Sequence, residues 1–185
     1  MKKIILIVYA LFIIIASKAQ ISMDFELKDA VSNKLVDMNK IDTKGLVIVF
    51  LSNKCPFSIG YNERLNQMEK QFSDDITFIY VNSFTGEDES TSSMKAYAKQ
   101  NGLKIYLEDK GSKLKNLLQV KKSPHAVILK PTTSGYNFYY TGPIDSNPQV
   151  ANDVKSQYLK DNINNLLNGK PISKISTPIM GCMIK

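Results

Sequence analysis

The stretch LVIVFLSNKCPFSIGYNERL, Leu46 to Leu65, decides how the chain is read. Its first six residues form a continuous apolar run, rich in β-branched side chains and without alternation. Such a run suits a strand buried on both faces, in the middle of an α/β sheet. Pro56 suits the first turn of a helix, where its missing N–H costs nothing. Ile59, Leu65, Met68 and Phe72 then recur at roughly helical spacing, which predicts one apolar stripe. Cys55 therefore stands between a buried strand and a helix N-terminus. A thiol there meets unpaired backbone N–H groups and the positive end of the helix dipole. The dipole is worth roughly 0.3–2 kcal/mol, and about 1.4 kcal/mol corresponds to one pKa unit. Lys54 adds positive charge if its side chain points the same way. A thiol of pKa about 8.5 is a few per cent thiolate at neutral pH; at about 6.5 it is mostly thiolate, the nucleophilic form. The alternative is an inert buried residue, as free cysteines often are.

Upstream, Met23 to Ile41 alternates apolar and polar residues around Asn33-Lys34 and predicts a β-hairpin or a strand and turn. Downstream, ITFIYVN (Ile76–Asn82) repeats the pattern of a buried strand. Phe84 to Ser93 is a polar loop running into a helix from about Ser92 to Gln100, closed by Asn101-Gly102. KIYLED is a short strand, and Asp109 to Val120 reads as a helix burying Leu114, Leu117 and Leu118. HAVILK (His125–Lys130) and YNFYYTG (Tyr136–Gly142) are strands joined by a short turn. Pro148 to Leu167 reads as a closing helix ended by Asn168-Gly169. Strands alternating with helices argue for a largely parallel sheet covered on both faces, with the last two strands antiparallel.

Length and composition are those of one domain: 185 residues, 43% hydrophobic and 22% charged, enough for a substantial core. Met1-Lys2-Lys3 precedes an apolar run, Ile4 to Ala16, followed by the small residues Ser17 and Ala19. This pattern predicts a secretory signal peptide over residues 1–19, cleaved after about Ala19. The run is shorter than the about 20 residues of a membrane span, so no stable membrane insertion is expected after cleavage. An uncleaved anchor is the other reading. Residues 20–185 then form a single domain, periplasmic or extracellular, where disulfides persist. Cleavage removes Lys2, Lys3 and Lys18 and no acids, which lowers the formal charge from +7 to +4. No stripe interleaves basic and aromatic residues, so nucleic acid is not expected as a partner.

Three separated motifs carry a family resemblance. Asn53-Lys54-Cys55-Pro56-Phe57-Ser58 forms an Asn-x-Cys-Pro-aromatic turn, Ser123-Pro124 precedes a strand, and Gly181-Cys182-Met183-Ile184-Lys185 is a Gly-Cys-x-Ile-Lys segment. With the element order, they resemble the thioredoxin superfamily, and within it exported redoxins of a peroxiredoxin-like branch. The resemblance implies an α/β thioredoxin-like fold, a central mixed sheet with helices on both faces and an N-terminal β extension. It implies a cis-Pro124 facing Cys55 and shaping a groove for an extended substrate, bordered by Phe84 to Ser93. The activity implied is that of a thiol–disulfide oxidoreductase or weak thiol peroxidase, acting on protein thiols and disulfides or on small peroxides, with no cofactor and no metal.

Ser58 stands where a dithiol oxidoreductase has its second cysteine, about one helical turn on. It is either a donor to the Cys55 thiolate or a polar residue of the helix surface. Cys182 has three readings: it resolves oxidised Cys55, it forms a permanent structural disulfide with Cys55, or it stays unpaired for use between chains. A permanent bridge would make the chain a non-catalytic binding or structural protein. Where peroxiredoxins carry a proline and a threonine before the cysteine, this chain has Ile48 and Ser52; Ser52 keeps a hydroxyl. Arg64, the single arginine, lies nine residues after Cys55 and reads as a surface residue on the far side of that helix. His125, the single histidine, either activates Cys55 as in cysteine hydrolases or is a packed core residue. The wide spacing of Cys55, His125 and Cys182 does not match common zinc sites.

Overall fold

The computed structural model describes residues 20–185, so the predicted signal peptide lies outside the described residues. The strands, in chain order, are β1 (Gln20–Ile21), β2 (Glu26–Asp29), β3 (Leu35–Asp37), β4 (Gly45–Phe50), β5 (Ile76–Asn82), β6 (Tyr106–Glu108), β7 (Lys122–Ser123), β8 (His125–Thr132), β9 (Gly135–Gly142) and β10 (Cys182–Met183). The α-helices are α1 (Pro56–Ile59), α2 (Asn62–Phe72), α3 (Thr91–Asn101), α4 (Lys113–Leu117) and α5 (Tyr158–Leu167).

Eight strands form one mixed sheet in the order β1-β9-β8-β4-β5-β6-β2-β3, and β7 and β10 form a separate two-stranded ribbon. β4 lies in the middle, parallel to β5 and antiparallel to β8. Its side chains alternate between two apolar clusters, Val47 and Val49, joined by Leu51 just after the strand, on one face and Leu46, Ile48 and Phe50 on the other. All six β4 residues are buried, which is the physical reason the run shows no polar alternation. Leu65 and Phe72 of α2, Met94 and Ala98 of α3, and Leu159, Ile163 and Leu166 of α5 cover the first face. Leu114 of α4, Leu118 just after it, and Met23, Leu27 and Met38 of the N-terminal extension cover the second. Helices thus lie on both faces of a mixed sheet, as the resemblance implies, but the sheet is not largely parallel. Only β4–β5 and β5–β6 pair in parallel, because the terminal β8–β9 hairpin and the N-terminal strands add antiparallel pairs on either side.

The β extension is divided between both edges of that sheet. β1 pairs with β9 at one edge, whereas the β2–β3 hairpin joins β6 at the other. α5 presses close to the start of β4: a Cβ on Gly45 would lie 2.5 Å from the Leu166 Cδ2.

Three helices differ from expectation. The stripe from Ile59 to Phe72 is not one helix, because a tight turn separates α1 from α2. Tyr61 N bonds to the Ser58 carbonyl, a three-residue step that re-phases the helix. Tyr61, 1% exposed, becomes the inward residue there, while Ile59 is left 47% exposed. The helix expected over Pro148–Leu167 begins only at Tyr158. The Asn147 side chain accepts from Gln149 N and Val150 N, and the Ser146 hydroxyl from Lys155 N and Ser156 N. These local bonds offer the backbone an alternative to the helix. The helix expected from Asp109 contracts to α4, because the Asp109 carboxylate accepts from Leu114 N and Lys115 N and so precedes the helical turn.

Arg64 is also not the surface residue expected. Its guanidinium lies 3.9 Å from the centre of the Tyr61 ring and donates to Asp145 Oδ2 at 2.5 Å, with further bonds to the carbonyls of Asn147 and Gly60. Tyr61 donates its hydroxyl proton to the other Asp145 oxygen at 2.6 Å. This cluster clamps the α1–α2 junction to the segment after β9. Arg64→Ala would leave Asp145, only 6% exposed in its side chain, without its cation. Urea unfolding is expected to show a loss of about 3 kcal/mol, in line with a broken buried pair.

Candidate active site

Ser52 to Cys55 form the turn that leaves β4 and enters α1. Cys55 has extended backbone angles and occupies the N-cap of α1, with Pro56 at the first helical position. The Ser52 hydroxyl organises the turn: it accepts from Lys54 N and Cys55 N, both at 3.1 Å, and donates to Glu89 Oε1 at 2.6 Å. Glu89 Oε2 accepts from Asn53 N at 3.0 Å and from Asn82 Nδ2 at 2.5 Å. Tyr106 donates its hydroxyl to Asn53 Oδ1, and Asn53 Nδ2 donates to the Asp88 carbonyl. Glu89 is 6% exposed. The turn carrying the cysteine is therefore tied to the end of β5 and to the following loop by one buried carboxyl group.

Cys55 is bonded to Cys182, with Cα atoms 6.0 Å apart and 127 residues between them in sequence. Of the readings weighed for Cys182, the structure contains the intramolecular pair. Closing a loop of that length stabilises by about 5 kcal/mol in the chain-entropy model. Cys55 is 2% exposed. The sulfur pair nevertheless opens onto a groove walled by Phe84 to Glu89 and floored by Ser52, Cys55 and Cys182. The polar loop expected beside the cysteine is that wall.

The segment carrying Cys182 is docked along its length. The Tyr139 hydroxyl donates to the Lys170 carbonyl, Ser173 N donates to Asn162 Oδ1, and Tyr158 OH bonds the hydroxyls of Ser176 and Thr177. β10 then pairs antiparallel with β7, Cys182 opposite Ser123 and Met183 opposite Lys122. Ile184 N donates to the Lys121 carbonyl at 3.0 Å, and the Ile184 side chain is buried. The segment bearing Cys182 is thus held as a strand with its own ladder and a side-chain anchor.

The Ser123-Pro124 peptide is cis. The Ser123 carbonyl lies 3.4 Å from Cys55 Sγ, and the Ser123 hydroxyl donates to the Phe50 carbonyl. Ser58 is not a surface residue of the helix, the second of its two readings. It is fully buried, accepts from Ser52 N and shares a 2.8 Å bond with the Ser123 hydroxyl. Ser58 braces the proline loop against α1. Lys54 is 64% exposed in its side chain and pairs with Asp88 at 3.2 Å. α1 is only four residues long, so the dipole available to Cys55 is smaller than that of a full helix.

His125 opens β8, opposite Phe50 in the ladder. Its Nε2 bonds the Thr141 hydroxyl at 2.8 Å, whereas the Cys55 sulfur contacts Cys182 and the Ser123 carbonyl. Burial pushes the imidazole pKa down to about 4, so the ring is neutral at pH 7. The cysteine–histidine pairing of a hydrolase is not formed, because β8 directs the ring toward β9.

Sequence reasoning missed Glu89, Asn82 and Tyr106 as supports of the cysteine turn. Glu89 sits within GEDES, which reads as a solvated acidic loop, and nothing local marks it as buried. Among the described residues no three or more of His, Cys, Asp and Glu cluster as metal ligands would, and no helix is long and apolar enough to cross a membrane.

A thioredoxin-like family model matches residues 22–134. That match includes Cys55 and Pro124 and stops short of α5 and the segment bearing Cys182. Among solved structures, an uncharacterized conserved protein from Geobacillus kaustophilus superposes with a TM-score of 0.80 at 23% identity, covering 91% of this chain and 90% of that one. A hypothetical protein from Sinorhizobium meliloti 1021 gives 0.78 at 24% identity, covering 88% and 91%. A secreted Mycobacterium tuberculosis disulfide oxidoreductase, homologous to E. coli DsbE, gives 0.54 at 16% identity, covering 78% and 95%. No curated protein matches the sequence significantly.

Glu89→Ala would strand the Ser52 hydroxyl, Asn53 N–H and Asn82 amide in a buried site. The expected loss is about 2–4 kcal/mol, and Glu89→Gln, which keeps one acceptor oxygen, should lose less; denaturant midpoints with unchanged slopes check both. His125 adds a pH dependence. Its folded pKa, about 4, lies below the unfolded value of about 6.5, so the unfolded chain binds the extra proton first. Stability is fully present above pH 6.5 and falls as pH drops toward 4, by roughly 3 kcal/mol. Urea titrations at pH 7 and pH 4 should show His125→Leu losing that much less than the parent.

Proposed function

The chain belongs to the thioredoxin-like family, and on that premise we propose that it is an exported thiol–disulfide oxidoreductase of a peroxiredoxin-like branch, with Cys55 as nucleophile and Cys182 as resolving thiol. The observation that carries this reading is the Cys55–Cys182 bond at the cap of α1, open to a groove walled by Phe84 to Glu89, with the carbonyl before the cis-proline 3.4 Å from the Cys55 sulfur. Two sulfurs from opposite parts of the chain meet where a partner sulfur can approach.

The cycle balances as thiol–disulfide exchange. In the reduced protein the Cys55 thiolate attacks a disulfide of a partner protein, forming a mixed disulfide and releasing one partner thiolate. Cys182, as thiolate, then attacks Cys55 Sγ and releases the second. The partner gains two electrons and two protons, and the protein is left with the Cys55–Cys182 bond. A dithiol of a second partner reverses these steps and restores the reduced state. Ser52 and Glu89 hold the turn so that Cys55 keeps one position through both attacks.

Arginine chemistry favours disulfides over peroxides as substrates. The single guanidinium is committed to Asp145 and Tyr61, and Ile48, buried inside β4, stands where a peroxidase has proline. Weak thiol peroxidase activity is the second outcome to be tested. The permanent staple is the competing reading, favoured by the docked tail and the 2% exposure of Cys55.

Equilibration with glutathione redox buffers separates them. The exchange reading expects a potential between about −270 and −120 mV, the span of known oxidoreductases, whereas a value below about −300 mV marks a structural bridge. With Cys182→Ser, oxidised glutathione is expected to leave Cys55 as a stable mixed disulfide. Rapid sulfenic acid formation with hydrogen peroxide, without glutathionylation, would move the assignment to peroxidase.

A further inference from the structure

The edge of β7 beside Cys55 is already occupied by the chain's own residues, and the manner of occupation specifies what else fits there. Residues 182–184 bind it as an extended antiparallel strand, through the β7–β10 ladder and the Ile184 N bond to the Lys121 carbonyl. The Lys122 ammonium also holds the Ile179 carbonyl at 3.0 Å. Backbone bonds of this kind are blind to sequence; alternate side chains supply selectivity.

Two positions on this strand discriminate. A Cβ on Gly181 would lie 2.2 Å from the Ser123 carbonyl oxygen and 2.7 Å from its carbon. Both are backbone atoms of the cis-proline loop, which Ser58 and Phe50 hold in place, so the loop has little freedom to yield. The residue before the cysteine is therefore restricted to glycine. Two residues after it, Ile184 is 6% exposed and joins the apolar cluster of Leu114, Leu118 and Val120. Met183 between them is 55% exposed and contributes no selection.

Resting on the exchange reading above, we propose that the β7 edge is a substrate-reading site for extended polypeptide segments of the pattern Gly-Cys-x-aliphatic. The chain's own residues 181–184 are a built-in copy of that pattern, closing the site in the oxidised protein. A partner segment carrying the same pattern displaces them, places its sulfur against Cys55, and is itself displaced when Cys182 returns to resolve the mixed disulfide. In the oxidised protein the β7 edge is thus closed to partner segments, while the sulfur pair stays reachable by a reducing thiol from the groove walled by Phe84 to Glu89.

The test uses reduced Cys182→Ser protein, whose one thiol is Cys55, and thiopyridyl-activated pentapeptides. Attack of the Cys55 thiolate on the peptide sulfur forms a mixed disulfide and expels pyridine-2-thione, which is read by absorbance. The peptide GCMIK is expected to react at least about tenfold faster than LCMIK and than GCMDK, with GCAIK within about twofold of it. Cys182→Ser combined with Ile184→Asp, which releases the tail, should accelerate GCMIK capture further. If that variant does not fold, the peptide series on Cys182→Ser alone still decides.

Equal rates for all four peptides overturn the reading site. If thiopyridyl-activated glutathione reacts at that same rate, the exchange reading survives; if Cys55 reacts with none of the disulfides, both fail. Covalent dimers of the unsubstituted chain, linked Cys55 to Cys182 between copies, would assign the edge to a second copy and overturn the partner-segment proposal.

Discussion

The structure depends on the position of one residue, Ser123. Its carbonyl lies against the Cys55 sulfur, its hydroxyl bridges the Phe50 carbonyl and Ser58, its backbone pairs with Cys182, and Gly181 packs on it at a distance no side chain tolerates. The end of β4, the first turn of α1, the start of β8 and the distant tail all meet there. A cis peptide to Pro124 follows directly. Because protein interiors are close-packed, a displacement of this residue is transmitted to each of those elements rather than absorbed. The sulfur pair is held by this junction, and the groove it opens onto is walled by Phe84 to Glu89.

Two buried polar clusters keep that junction in register. Glu89 accepts three hydrogen bonds from the turn before Cys55 and from the end of β5. Asp145 accepts from Tyr61 and Arg64 and locks the far side of α1. Each carboxyl group would be costly if left unpaired in the interior; with its donors in place it orders a loop that apolar contacts alone would leave free to shift. The consequence for chemistry is a cysteine turn whose geometry is set by side chains remote in sequence. Ser58 belongs to the same design: lacking a thiol at that position, the chain uses a hydroxyl to brace the proline loop, and the second sulfur comes from the tail.

Much of the fold was legible because its strongest signals are local. The β4 and β5 runs are continuously apolar since both sheet faces are covered, and such runs read as central strands without further help. Pro56 and the Asn101-Gly102 pair marked a helix start and a helix end by their backbone preferences. Helix lengths were less legible. Val150, Val154 and Tyr158 mimic a helical period, yet Asn147 and Ser146 capture the intervening N–H groups and leave Val150 exposed. Ile59 and Arg64 were misread for a related reason: one tight step at Tyr61 rotates the second half of the helix and exchanges inside for outside.

By itself, the sequence determined the class of fold, the position of Cys55 at a strand-to-helix turn, and the identity of the only other cysteine available to it. These follow from side-chain periodicity, the stereochemistry of proline and glycine, and a count of two. Only the tertiary structure decided that the two sulfurs are joined, that the tail is a docked strand rather than a loose arm, and that Glu89 lies buried beneath the cysteine turn. The His125 ring, likewise, turns toward β9 only once β8 is paired. Each of those outcomes is a contact between segments tens of residues apart, and its energy depends on which groups are shielded from water together, a quantity no local pattern of residues encodes.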